Sequence, residues 1–196
     1  MGTRYNMTHS DPATGIVVGI LVLLIAAAIG VAVASARRRS ERLQAHYGQE
    51  YERTLLSAGS RGAAEDELLA REQRRGEMNV RPLPGGLREG YIVQWKLVQA
   101  RFVDDPRTAL WDANRIVHQV MEARGYPVRN RTDQAEDLSV DYGPLVADYR
   151  KANAIALAAR DGVASTEHVR EAFLLYRSLF DALVESSSDA PSLQVS

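Results

Sequence analysis

Hydrophobic and polar positions follow three regimes along the chain. An unbroken apolar run comes first, then a sparse stripe among charges, then dense helical periodicity. The run covers residues 16–36, IVVGILVLLIAAAIGVAVASA, without one charged residue. A bilayer's hydrocarbon core is about 30 Å thick and takes about 20 apolar residues of helix to cross. Twelve of the 21 are Ile, Val or Leu, so insertion is favourable by several kcal/mol, on the order of 0.3–0.6 for each. The segment predicts a transmembrane helix.

The stripe follows. Leu43, Tyr47, Tyr51 and Leu55 recur every four residues and predict a helix over about 40–57, lying on the domain, on a second copy or on the membrane surface. Residues 57–60, SAGS, break it. A charged helix over about 62–78 is expected next, with a solvated surface and a stop at Gly76. Residues 79–86, NVRPLPGG, form a connector, because two prolines and two glycines cannot continue a helix.

Beyond it the periodicity is strong. Leu87, Tyr91, Trp95, Val98 and Phe102 step by 4, 4, 3 and 4, one apolar helical face. Asp105 and Pro106 then suit the cap and first position of a helix that ends at Gly125. The acidic stretch 128–143 has room for a short helix over 133–138. Gly143-Pro144 starts another, and Ser165 caps a last one with a broad face through Val169, Phe173, Tyr176, Phe180 and Leu183. No stretch alternates with period two. The expected fold is all-α: one N-terminal transmembrane helix followed by a helical-bundle domain. Its parts are a disordered outer tail at 1–15, the span at 16–36, a basic stop with juxtamembrane helices at 37–79, a linker at 80–86, the bundle at 87–185 and a disordered tail at 186–196.

Charge gives the span a direction. Arg37, Arg38, Arg39 and Arg42 follow it and only Arg4 precedes it. Arginines beside a span stay on the cytoplasmic side. The chain is therefore expected in the cell (plasma) membrane, single-pass, with its N-terminus outside and its domain cytoplasmic, the four arginines meeting lipid headgroups. Ala34-Ser35-Ala36 fits a signal-peptidase site, but the apolar run is long and lacks a basic cluster before it. Gly15, Gly19, Ala26, Gly30 and Ala34 fall within about 100° on the helix, a face through which two spans would pack as a homodimer.

Composition narrows the chemistry. Without Arg4, Asp11 and Arg37 to Arg39, 20 basic and 24 acidic residues remain of 24 and 25, a net of −4. That is not the basic face of a nucleic-acid module. With no cysteine, thiolate sites and disulfides are excluded. All basic residues but Lys96 and Lys151 are arginine, which together with the alanine content points to a GC-rich bacterial genome. His9, His46, His118 and His168 stand apart, without metal-ligand spacing, and no phosphate loop, dinucleotide fingerprint or nucleophile elbow occurs. No cofactor, metal or catalytic residue is expected. Asp104-Asp105 would suit a cation or acid–base work, but before Pro106 it reads as a helix start. Asp104, Asp105 and Pro106 are instead the candidate partner surface. Residues 133–141 bear four acids and read as a solvated face.

The phrases FVDD at 102–105, RGYP at 124–127, AEDLSVD at 135–141 and ASTEH at 164–168 resemble a family of uncharacterised, mostly actinobacterial proteins labelled as membrane or secreted proteins. The resemblance covers about residues 47–185 and implies no activity. The reading is a membrane-tethered domain, an adaptor or scaffold that binds an unknown protein partner. The alternative is a membrane-anchored, carboxylate-based enzyme or metal-dependent domain.

Overall fold

The computed structural model describes residues 12–127 and 131–185. Among them the chain is all-α, seven helices and no strand: α1 (Pro12–Tyr47), α2 (Gln49–Ala58), α3 (Arg61–Glu77), α4 (Gly85–Arg101), α5 (Pro106–Arg124), α6 (Arg131–Arg160) and α7 (Thr166–Glu185). Residues 1–11 and 186–196, where most of the two tails was expected, lie outside the described residues. The chain divides into two compact units, one ending at Arg42 and one beginning at Leu43.

The first unit is the run of α1. It is long and apolar enough to cross a membrane, and among the described residues nothing buries it. Gly19, Ala26, Gly30 and Ala34 are exposed, and a Cβ on Gly19 or Gly30 would meet no atom within 4 Å.

The second unit holds two joined cores. Leu43 and Tyr47, at the end of α1, pack with Tyr51 of α2 and Leu68 of α3, and Val140 of α6 closes the cluster. The stripe read from the sequence is thus a buried face of the domain. The single helix expected over 40–57 is two, because Gly48 takes φ 53° and turns the chain, a conformation open to glycine at little cost. Gly59 ends α2 in the left-handed region, and the Ser60 hydroxyl accepts from the Ala63 N–H to start α3. That third helix is not solvated all round: Ala64, Glu65, Leu68 and Arg71 are buried, and it runs through Gly76 to Glu77.

The larger core lies among α4, α5, α6 and α7. Its centre is Val117, Leu138, Tyr149, Tyr176 and Leu183, all essentially inaccessible. Each such side chain contributes about 1.5–3 kcal/mol of transfer free energy. Trp95 stacks on Phe180 at 4.5 Å and on Phe173 at 5.4 Å, which fixes α4 against α7. Asn114, Asn153 and Tyr176 form a polar node inside, with Asn114 Nδ2 donating to the Tyr176 oxygen at 2.6 Å and the Tyr176 hydroxyl to Asn153 Oδ1 at 2.8 Å.

Two further expectations change. The connector does not divide two domains. Leu83 is buried in the large core, the Arg81 N–H donates to the Arg124 carbonyl at 2.8 Å, and α2 and α3 both pack on α6. The acidic stretch forms a longer helix than the one expected over 133–138. From residue 131 it is the first part of α6 and ends at a non-helical break at Tyr142 (φ −132°, ψ 37°), beyond which the helix expected at Gly143-Pro144 begins; residues 128–130 lie outside the described residues. Its acids are largely paired inward: Asp141 Oδ2 accepts from Arg75 Nε at 2.5 Å, Glu136 lies 3.7 Å from Arg71 and 3.8 Å from Arg74, and Asp137 is buried.

Candidate interaction surface

The sequence-predicted residues fall at two places, one in each unit. Arg37, Arg38, Arg39 and Arg42 continue α1 beyond its apolar run; three are exposed and Arg39 is half-buried. Asp104, Asp105 and Pro106 form the turn from α4 to α5. Asp105 is the cap expected of it: its Oδ1 accepts from the Thr108 N–H at 3.1 Å, and hydrogen bonding from Thr108 holds its carboxyl below the usual carboxylate range. Pro106 takes the first helical position. Asp104 is exposed, and Val103 beside it is 83% exposed.

The next residue explains what that turn is joined to. Arg107 donates to the Ala159 carbonyl in the last turn of α6 at 3.1 Å and to the Ala164 carbonyl in the turn to α7 at 3.3 Å. The α4–α5 and α6–α7 turns therefore share one end of the bundle. The second turn also presents a bare valine, Val163.

From this end α4 runs back along the surface, and here the structure shows what the sequence reading passed over. Trp95 and Val98 are buried, and Tyr91, Ile92 and Phe102 are packed against the same core. Leu87, counted on that face, is half exposed at the helix start. On the opposite side Gly86, Gly90, Val93, Leu97 and Ala100 are all exposed. They step by 4, 3, 4 and 3, a second stripe about 80° wide at 100° per residue. Val93 and Leu97 have most of their surface in solvent. A helix that is apolar on opposite sides ordinarily has both covered; α4 has one.

Relief accompanies the stripe. A groove of about 450 Å³ runs between α4 and α5, bounded by Gly86, Gly90, Tyr91, Gln94, Gln119 and Glu122. It exists because the two glycines carry no side chains. The Tyr91 hydroxyl donates to the Gln119 carbonyl at 3.3 Å at its base, and burial, with Glu122 nearby, raises that phenol's pKa. A smaller groove of about 240 Å³ separates α4 from α7.

Among the described residues no group of three or more His, Asp or Glu side chains could hold a metal ion. His46 contacts the Val140 carbonyl and His118 the Tyr149 hydroxyl. Glu50 pairs with Arg71 and Arg150 in a largely buried cluster, in which Arg71 Nε has no hydrogen-bond partner among the described residues. The chain matches no protein-family model, no curated protein and no solved structure.

Proposed function

We propose that this chain is a membrane-tethered protein-interaction module, an adaptor or scaffold, held by α1 with its helical domain on the cytoplasmic side of the plasma membrane. The observation that carries this reading is the outward stripe of α4, an apolar helix face left in solvent beside a groove. The span supports the tether by length and composition. The arginines that follow it support the direction, each gaining about 1 kcal/mol beside anionic lipid. The Val103–Pro106 turn extends the contact surface at one end of the stripe.

The test is photo-crosslinking in cells from a probe placed at Leu97, with a probe at Leu174 as control. Leu174 is similarly exposed but lies on α7, away from the stripe. Specific adducts from Leu97 and none from Leu174 are expected. Equal or absent adducts from both sites would remove the reading.

A further inference from the structure

We infer that the outward stripe of α4 is the seam of a two-fold dimer, in which α4 packs antiparallel on α4 of a second copy of this chain. The inference rests on the reading of that stripe as an interaction surface and names its occupant.

Three features of the helix agree on a second copy. The first is the cost of its glycines. Gly90 sits in the sixth position of α4, where glycine is disfavoured by about 1 kcal/mol relative to alanine. Nothing in the fold asks for it: its φ is not positive, and a Cβ there would meet no atom within 4 Å. The same open space surrounds Gly86. Their smallness serves a neighbour from outside.

The second is size matching. The stripe is small at its N-terminal half, Gly86 and Gly90, and large at Val93 and Leu97. Reversing the helix on itself about a point between Tyr91 and Ile92 sets Val93 against the partner's Gly90 and Leu97 against the partner's Gly86. Each large side chain then meets the groove a glycine leaves, twice over by symmetry. A parallel pairing would set glycine on glycine and leucine on leucine.

The third is charge. Glu89 and Lys96 flank the stripe on one side; both are exposed, and among the described residues neither side chain has an ion pair or hydrogen bond. In the same register Glu89 comes beside the partner's Lys96 and Lys96 beside the partner's Glu89. An isologous contact requires such reciprocity. One helix thus supplies size and charge complements to its own reverse.

The test uses the full chain in phosphatidylcholine vesicles at high dilution in lipid, with Gly30→Ile in every variant so that pairing of the spans does not contribute. The chain has no cysteine, so single thiols report cleanly. Two copies of Val93→Cys should crosslink with a short bismaleimide. Ala100→Cys should not, since its two copies would lie about 25 Å apart along the helices at 1.5 Å per residue. Glu89→Lys and Lys96→Glu should each weaken association about three- to tenfold, and the double variant should restore it. Gly90→Ala should raise the melting temperature and lower the dimer fraction together, which simple misfolding cannot do. Crosslinking at both thiols means a parallel pair, and no crosslinking at either means none; each overturns the inference, as does a double charge variant that stays weak. Adducts from Leu97 whose mass is not that of two chains would keep the interaction reading and discard self-pairing.

Discussion

Arg150 and Glu50 are separated by one hundred residues and meet in the interior, Arg150 Nη2 donating to Glu50 Oε1 at 2.8 Å. Arg71 of α3 reaches the same oxygen at 3.1 Å, so one carboxylate on α2 fastens two other helices. Glu50 is 1% exposed. Burial works against the Arg71 charge, yet Glu67, Glu136 and Glu50 around it hold its pKa above the usual guanidinium value.

The first prediction follows. Glu50→Gln keeps the shape and removes the charge both guanidiniums face, and breaking a buried pair from one side costs about 3–5 kcal/mol. The Arg150 side chain keeps 19% exposure, so the lower part of that range is expected, read from urea melts of the full chain in detergent micelles. Lys151→Ala serves as control. It removes an exposed pair with Glu171 and should shift stability by less than about 1 kcal/mol.

Two other glycines are tight where Gly90 is open. A Cβ on Gly143 would lie 2.5 Å from the His46 carbonyl oxygen and 2.9 Å from the Tyr47 Cα, backbone atoms that cannot swing aside. Gly143→Ala should cost about 1–3 kcal/mol, as overpacking does. Gly125→Ala should cost more: its φ is 97°, and its Cβ would sit 2.2 Å from the Asn79 oxygen. Melting temperatures of these two against Gly90→Ala should move in opposite directions. Equal shifts would mean that α6 does not lie against the end of α1 at Tyr47 as described.

Tyr126 gives a pH dependence. Its hydroxyl donates to Asp141, Arg75 lies over its ring at 5.7 Å, and burial, then Asp141, push its pKa well above the ordinary phenol value. A phenol raised in the folded state contributes stability that is whole below the unfolded pKa, about 10, and is lost as pH climbs from there toward the folded value. Stability should therefore fall with pH from about 10 upward, and less steeply in Tyr126→Phe. Some slope will remain, because burial raises Tyr51 and Tyr91 as well. An unchanged slope in Tyr126→Phe would contradict the burial of this hydroxyl.

What the sequence made legible was local and periodic. Asp105, Pro106, Gly125 and Ser165 act at helix ends as their types demand, and the α7 face from Val169 to Leu183 is buried as its spacing required. Two things escaped. Charges on α3 and the start of α6 read as solvated because sequence shows that acids and arginines exist, not that Glu136 and Asp141 face Arg71, Arg74 and Arg75 across a helix pair. The α4 stripe escaped for a different reason. Two glycines and an alanine carry little hydrophobic signal, so the aromatic face with Trp95 hid a second face opposite. Its steps of 4, 3, 4 and 3 were present in the chain all along. Composition could not mark it as significant; only exposure did.

The last prediction concerns direction across the membrane. Val163, 76% exposed on the α6–α7 turn, accepts a thiol without disturbing the core, and Val163→Cys gives the chain its single cysteine. A membrane-impermeant maleimide should label it only after the cells are opened, as a cytoplasmic domain requires. Replacing Arg37, Arg38, Arg39 and Arg42 by glutamine removes the charge excess on that side of the span, leaving Arg4 as the nearest counterweight. A fraction of chains should then insert reversed and label in intact cells. If the native sequence with Val163→Cys already labels in intact cells, the domain faces outward. The arginines would then not set the orientation, and any partner for α4 other than a second copy would be sought outside the cytoplasm.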